Sequence, residues 1–167
     1  MTCYLFALIV EGLDPSDESQ VLALDALPEV LLLSDTDGLV TVHLEIEAGS
    51  AAAAITDAIQ RVEALPAEVH VVSVDLDLVA ATDIAHRTGR SRQAVSQWAA
   101  GERAGRRFPA PLGRVAGGTR VWPWSVVLPW LRDHGHVDDG ERAPSYEEIV
   151  VANASLLRRR LTLTDAR

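Results

Sequence analysis

The stretch Ala81-Thr-Asp-Ile-Ala-His-Arg-Thr-Gly89-Arg-Ser-Arg-Gln-Ala-Val-Ser-Gln-Trp98 decides how this chain is read. Ile84 and Ala85 give a first short helix its apolar side. Gly89 stands where the chain must leave that helix through a left-handed residue, and Ser91 is placed to cap a second helix. Ala94, Val95 and Trp98 recur at helical spacing and can face the first helix. Arg92, Gln93, Ser96 and Gln97 are then left on the outer side, near the second helix's N-terminal end. Two short helices about a tight turn make a helix-turn-helix pattern.

Charge sets this stretch apart from its surroundings. Residues 81–136 hold nine Arg against three acids, whereas residues 1–80 hold fifteen acids against one Arg, in a chain of net charge −9. The basic module is therefore hidden inside an acidic protein. Immediately downstream, Gly101-Glu-Arg-Ala-Gly-Arg-Arg107 adds Arg103, Arg106 and Arg107 near the end of the second helix. Leu112-Gly-Arg-Val115 and Thr119-Arg-Val-Trp122 flank Ala116-Gly117-Gly118, as the two strands of a wing would. A three-residue loop sets Arg114 opposite Arg120; a two-residue Gly-Gly turn sets Arg114 opposite Val121. The first makes the better phosphate clamp and is the one expected. Trp122, Trp124, Val127, Trp130 and Leu131 are expected as core beneath the wing, with a closing helix from about Ser125. The four Trp read as core rather than as platforms for stacking bases.

Three pieces now stand in order: Gly89-Arg-Ser-Arg92, Phe108-Pro-Ala-Pro111 and Trp122-Pro-Trp-Ser125. In these the segment 79–133 resembles the MerR-like and excisionase-like winged helix-turn-helix families, in particular small actinobacterial regulators with the same runs. Related sequences often have Ser or Thr where this chain has Ala80, which leaves Thr82 or Asp77 to cap the first helix. The resemblance implies a partner, double-stranded DNA. The residue chemistry agrees: Arg pairs with guanine edges and Gln with adenine edges in the major groove, and hydroxyls and Arg suit phosphates. The expected DNA-binding residues are Arg90, Ser91, Arg92, Gln93, Ser96, Gln97, Arg103, Arg106, Arg107, Arg114, Thr119 and Arg120.

Upstream, the chain alternates in type. Residues 3–10 read as a buried strand and Ser16 to Ala26 as a helix capped by Ser16. Val30 to Leu33 is a short apolar run, and Asp35-Thr-Asp37-Gly38 a hairpin turn. Leu39 to Ile46 alternates like a half-buried strand. Ser50 to Leu65 is a helix with Ile55, Ile59 and Val62 on one face, and Val69 to Leu76 a last strand. The order βαββαβ is that of a ferredoxin-like sandwich. The expected class is α+β, in three parts: an acidic ferredoxin-like domain at 1–78 for dimerisation or sensing, a winged helix-turn-helix at 79–136, and a polar linker with a C-terminal helix at 137–167. That helix starts at Ser145, with Glu148 completing a capping box.

At 167 residues and 48% hydrophobic content, the chain can bury one ordinary core or two small ones. One cysteine, Cys3, excludes an intramolecular disulfide. The apolar run at 3–10 is too short to span a bilayer, so no membrane is expected and a cytoplasmic location is. Neither GxxxxGK[ST] nor GxSxG occurs, so no enzyme and no cofactor are expected. His134-Gly-His136 reads as a surface turn rather than a metal site. Asp75 and Asp77 alternate like Mg²⁺ ligands but are explained equally by a strand entering a joint. Arg158-Arg-Arg160 reads as a helix end complementing its dipole. The sequence thus points to a homodimeric, sequence-specific transcriptional regulator whose acidic domain faces away from DNA. Two other readings stand beside it: an antitoxin or adaptor that binds a protein partner through the N-terminal domain, and a regulator gated by a small ligand there.

Overall fold

The computed structural model describes residues 1–66, 68–101, 107–137, 140 and 142–164. In chain order its first elements are β1 (Thr2–Glu11), α1 (Glu18–Asp25), β2 (Val30–Thr36), β3 (Leu39–Ala48), α2 (Ala51–Glu63) and β4 (His70–Val74). Then follow β5 (Leu78–Val79), α3 (Ala81–Thr88), α4 (Arg92–Ala100), β6 (Gly113–Arg114), β7 (Arg120–Pro123), α5 (Trp124–Asp133) and α6 (Tyr146–Thr164). The fold is mixed α+β with antiparallel sheets. Among the described residues no helix is long and apolar enough to cross a membrane.

The chain forms two compact units, Met1–Asp75 with Glu141–Arg167, and Leu76–Gly140. These boundaries differ from the expected three parts in two respects. Leu76 to Leu78 belong to the second unit rather than closing the first, and Leu78 pairs there with Pro123. The C-terminal helix is part of the first unit rather than a separate tail.

In the first unit the four strands lie in the order β2-β3-β1-β4. Leu8 opposite Val42 and Phe6 opposite Leu44 put one set of alternating side chains on a single face. Leu8, Val42, Leu44 and Ile46 are buried there, and α2 packs on the sheet with Ala54, Ile55, Ala58 and Val62 buried. The β2–β3 hairpin turns on Asp37 and Gly38, both at positive φ (53° and 84°), with Thr36 opposite Leu39. Gly12 is obligatory after β1: its φ is +83°, and a Cβ would sit 2.0 Å from the Glu68 carbonyl oxygen. The cap of α1 is Asp17, not Ser16. The Asp17 carboxylate accepts from the Ser19 and Gln20 amides, while the Ser16 hydroxyl donates to Asp14 at 2.7 Å.

The α6 helix is stitched to this sheet. The Ser145/Glu148 capping box is present: Ser145 N donates to Glu148 at 2.8 Å, and Glu148 N to the Ser145 hydroxyl at 3.3 Å. The Leu5 amide donates to the Arg142 carbonyl at 2.8 Å. Ile149 and Leu156 are buried. Asn153 clamps edge strand β4, accepting from Val74 N at 2.7 Å and donating to Val74 O at 3.0 Å. Arg159 pairs with Glu63 and Arg160 with Glu11 (3.2 Å). Those two arginines thus answer acids of their own unit, a more specific role than the helix-end dipole effect expected of them.

Candidate nucleic-acid interface

In the second unit, α3 starts at Ala81 with Ala80 in the cap position, and the Asp83 carboxylate accepts from Ala80 N at 2.7 Å. Neither Thr82 nor Asp77 stands at the cap. Gly89 leaves α3 at φ 62° while Arg90 N reaches back to Ala85 O at 2.9 Å. That is a Schellman closure, which needs a left-handed residue. The Ser91 hydroxyl then accepts from Ala94 N at 3.2 Å and starts α4. Ile84 and Ala85 of α3, and Val95 and Trp98 of α4, are buried. With that side of α4 turned inward, Gln93 and Ser96 fall on the opposite face at 100° per residue, and Arg92 on its margin. Arg90, Ser91, Arg92, Gln93 and Ser96 are exposed; Gln97 is half-buried.

The β6–β7 hairpin takes the register with Arg114 opposite Arg120, and Gly113 opposite Val121. Val115 N donates to Thr119 O at 2.9 Å, closing the loop over Gly117 and Gly118, both at positive φ. The sheet to which this hairpin belongs has three strands, β5-β7-β6. Opposed residues share a face, yet the two arginines differ. Arg114 and Thr119 are exposed. Arg120 is half-buried: its guanidinium lies 5.6 Å from the Trp122 ring centre, and its Nη1 donates to the Ala99 carbonyl at 3.4 Å. It joins β7 to the last turn of α4. Arg107 is exposed, whereas Arg103 and Arg106 lie outside the described residues.

What holds these pieces is a ring cluster. All four tryptophans are buried. Phe108 meets Trp122 and Trp130 edge-on at 5.7 and 4.9 Å, and Trp98 lies 5.5 Å from Trp130. Trp122 Nε1 donates to Pro109 O at 3.0 Å. Phe108-Pro109, read in the sequence only through a resemblance, is thus the cluster's anchor. His134 and His136 do lie in a turn, but half-buried rather than on the surface: they stack on Trp130 (3.9 Å) and Trp98 (4.4 Å). Among the described residues no group of three His, Cys, Asp or Glu could hold a metal.

Sequence reasoning missed Arg87. It holds Asp77 with two bonds of 2.6 and 2.7 Å, its guanidinium lies 4.7 Å from the Trp124 ring centre, and Trp124 N donates to Asp77 O at 2.9 Å. An Arg three residues before a basic run reads as one more surface charge; only its contacts separate it. In the first unit Cys3 is a free, half-buried cysteine on β1. Its hydrogen bond to Glu45, partial burial, and the charges of Glu45 and Glu47 push the thiol pKa up.

The unit 76–140 carries nine Arg against six acids, so it is basic within an acidic chain. The chain matches no protein-family model, and no curated protein and no solved structure matches it.

Proposed function

We propose that residues 76–140 form a winged helix-turn-helix, and that the chain is a cytoplasmic, sequence-specific DNA-binding regulator of transcription. The observation that carries this reading is the outer face of α4. A Schellman glycine and a serine cap fix the helix start, and the exposed side chains there, Arg90, Arg92, Gln93 and Ser96, are the types that read base edges and phosphates. Arg92, Gln93 and Ser96 would enter the major groove. Arg114, Thr119 and Arg107 would meet backbone. Arg120 would serve mainly to hold the wing against α4. The first unit we read as a ferredoxin-like sandwich, supported by its βαββαβ order and the β2-β3-β1-β4 antiparallel sheet.

One such module buries only about 600–1,000 Å² on DNA, so useful specificity calls for two half-sites about 10 bp apart or a multiple of it. The test is selection of bound duplexes from a random pool, followed by titration at low salt. Enrichment of a two-fold motif is expected. Binding that stayed absent at low salt would overturn the reading. Arg92→Ala should cost about 1–3 kcal/mol on the selected site and relax one base position.

A second reading, regulation by a small ligand, is favoured by one feature. An apolar groove of about 540 Å³ runs between α2 and α6, walled by Ile55, Ile59, Val151 and Leu156. A metabolite screen by thermal shift tests it, and a flat response across apolar carboxylates and amines would remove it.

A further inference from the structure

The α6 helix buries one side and leaves another, equally apolar side in water. Ile149 and Leu156 are buried, while Val150, Leu157 and Leu161 are 43, 58 and 57% exposed. Ala154 lies between them, half-buried. A helix that is apolar on two separate sides is normally covered on both. Val150, Ala154, Leu157 and Leu161 are spaced four, three and four apart. This is the a/d seam of a two-helix coiled coil, and the small Ala154 at its middle permits close approach.

We propose that this seam pairs with α6 of a second copy of the chain, antiparallel about a two-fold axis. Charge selects the occupant and its direction. Acids stand in the first turn of α6, and Arg158, Arg159 and Arg160 in its second half. Glu148 closes the cap, and Arg159 and Arg160 serve Glu63 and Glu11. Glu147 and Arg158 are exposed, and by helical spacing both border the seam. Antiparallel pairing turns the acidic start of each helix toward the basic half of the other and opposes their dipoles. Parallel pairing would set Arg158 against Arg158. A surface complementary to itself in this way is what a two-fold dimer requires. The layers would be Val150 against Leu161 of the second copy, and Ala154 against its Leu157. The seam is smaller than the roughly 800 Å² a side of a standard interface, so the dimer should dissociate on dilution.

Sedimentation velocity of the full chain without DNA tests this, separately from the DNA reading. A concentration-dependent dimer is expected, abolished by Leu157→Glu with Leu161→Glu while circular dichroism is unchanged. In a Cys3→Ser background, mixed Val150→Cys and Leu161→Cys chains should form the mixed disulfide. Leu161→Cys alone should not cross-link, because its two copies would lie about 16 Å apart along the axis at 1.5 Å per residue. A wild type that stayed monomeric at the highest soluble concentration would overturn the proposal and leave the seam to another chain. So would a dimer indifferent to the double glutamate variant, or cross-linking by Leu161→Cys alone.

Discussion

The two units solve the same problem of burial by different means. In the first, β1 and β3 run ten residues each in continuous register, and the core is aliphatic: Leu8, Val42, Leu44 and Ile46 against α2. In the second, the strands are two, two and four residues long, and the core is a cluster of aromatic rings around Trp122 and Phe108. Long ladders spread cohesion over many small contacts. Short strands cannot, so the second unit concentrates it in a few large side chains whose area and ring geometry substitute for backbone pairing. The cost of removing one side chain should therefore be distributed differently in the two.

Trp122→Ala makes the sharpest break. It removes a fully buried indole, its bond to Pro109, its edge-on contact with Phe108 and the support under Arg120. A loss of roughly 3–5 kcal/mol is expected. Amide exchange should show protection collapsing across 76–137 while β1 and β3 keep theirs. Leu44→Ala, at roughly 2–5 kcal/mol, should weaken the four-stranded sheet and leave the α3–α4 amides protected. A collapse that crossed from one unit to the other in either variant would show that the two unfold together.

What was legible in the sequence follows the same division. Alternation at Leu39–Ile46, the Asp37-Gly38 turn, the Gly89 and Ser91 signals and the Ser145/Glu148 box were readable because each is set by residues near one another. Leu78–Val79 was not, because two residues carry no period and their partners are Pro123 and Trp122. Asn153 carries no sequence signal of its own; its worth lies in Val74, 79 residues away. Nor could charge alone distinguish Arg114, exposed, from Arg120, folded over Trp122. For the candidate interface, the two helices and the Arg114–Arg120 register were foreseen, and the division of its arginines between surface and scaffold was not.

Asn153 offers the next break, on the long-range side of the comparison. Asn153→Asp keeps size and an acceptor for Val74 N but loses the donor to Val74 O. It should cost about 1–3 kcal/mol at neutral pH, with exchange accelerated at Val74 and along α6. Denaturant unfolding measures the size of the loss; an unchanged midpoint would mean the clamp is idle.

Ser91 offers a smaller, local break, and separates folding from binding. Ser91→Ala removes the α4 cap and should cost about 1 kcal/mol of stability. Ser91→Asp keeps a cap and adds a carboxylate favourable to the helix dipole, so stability should hold or rise. On the DNA reading the same carboxylate faces phosphate, and affinity should fall, more steeply at low salt. If Ser91→Asp bound duplex as well as the wild type, α4 would not approach DNA by its N-terminal end.

The smallest expected effect is at the α1 cap in the acidic unit, and it depends on pH. Hydrogen bonds from Ser19 and Gln20 hold the Asp17 carboxyl below its usual range; those from Ser16 do the same for Asp14. A folded pKa below the unfolded value means the stabilisation is complete above the unfolded value, near 3.8 for both, and is lost as pH falls through the folded value. The two carboxylates should therefore contribute no pH dependence at neutrality and a falling stability only in the acid range. Asp17→Asn keeps a cap side chain that cannot titrate. Its stability should be close to wild type at neutral pH, and the gap between the two should change only below about pH 4, as the wild-type carboxylate takes up its proton. Thermal melts at matched ionic strength from neutral to acid pH would show this. A gap that varied across the neutral range would trace to another group.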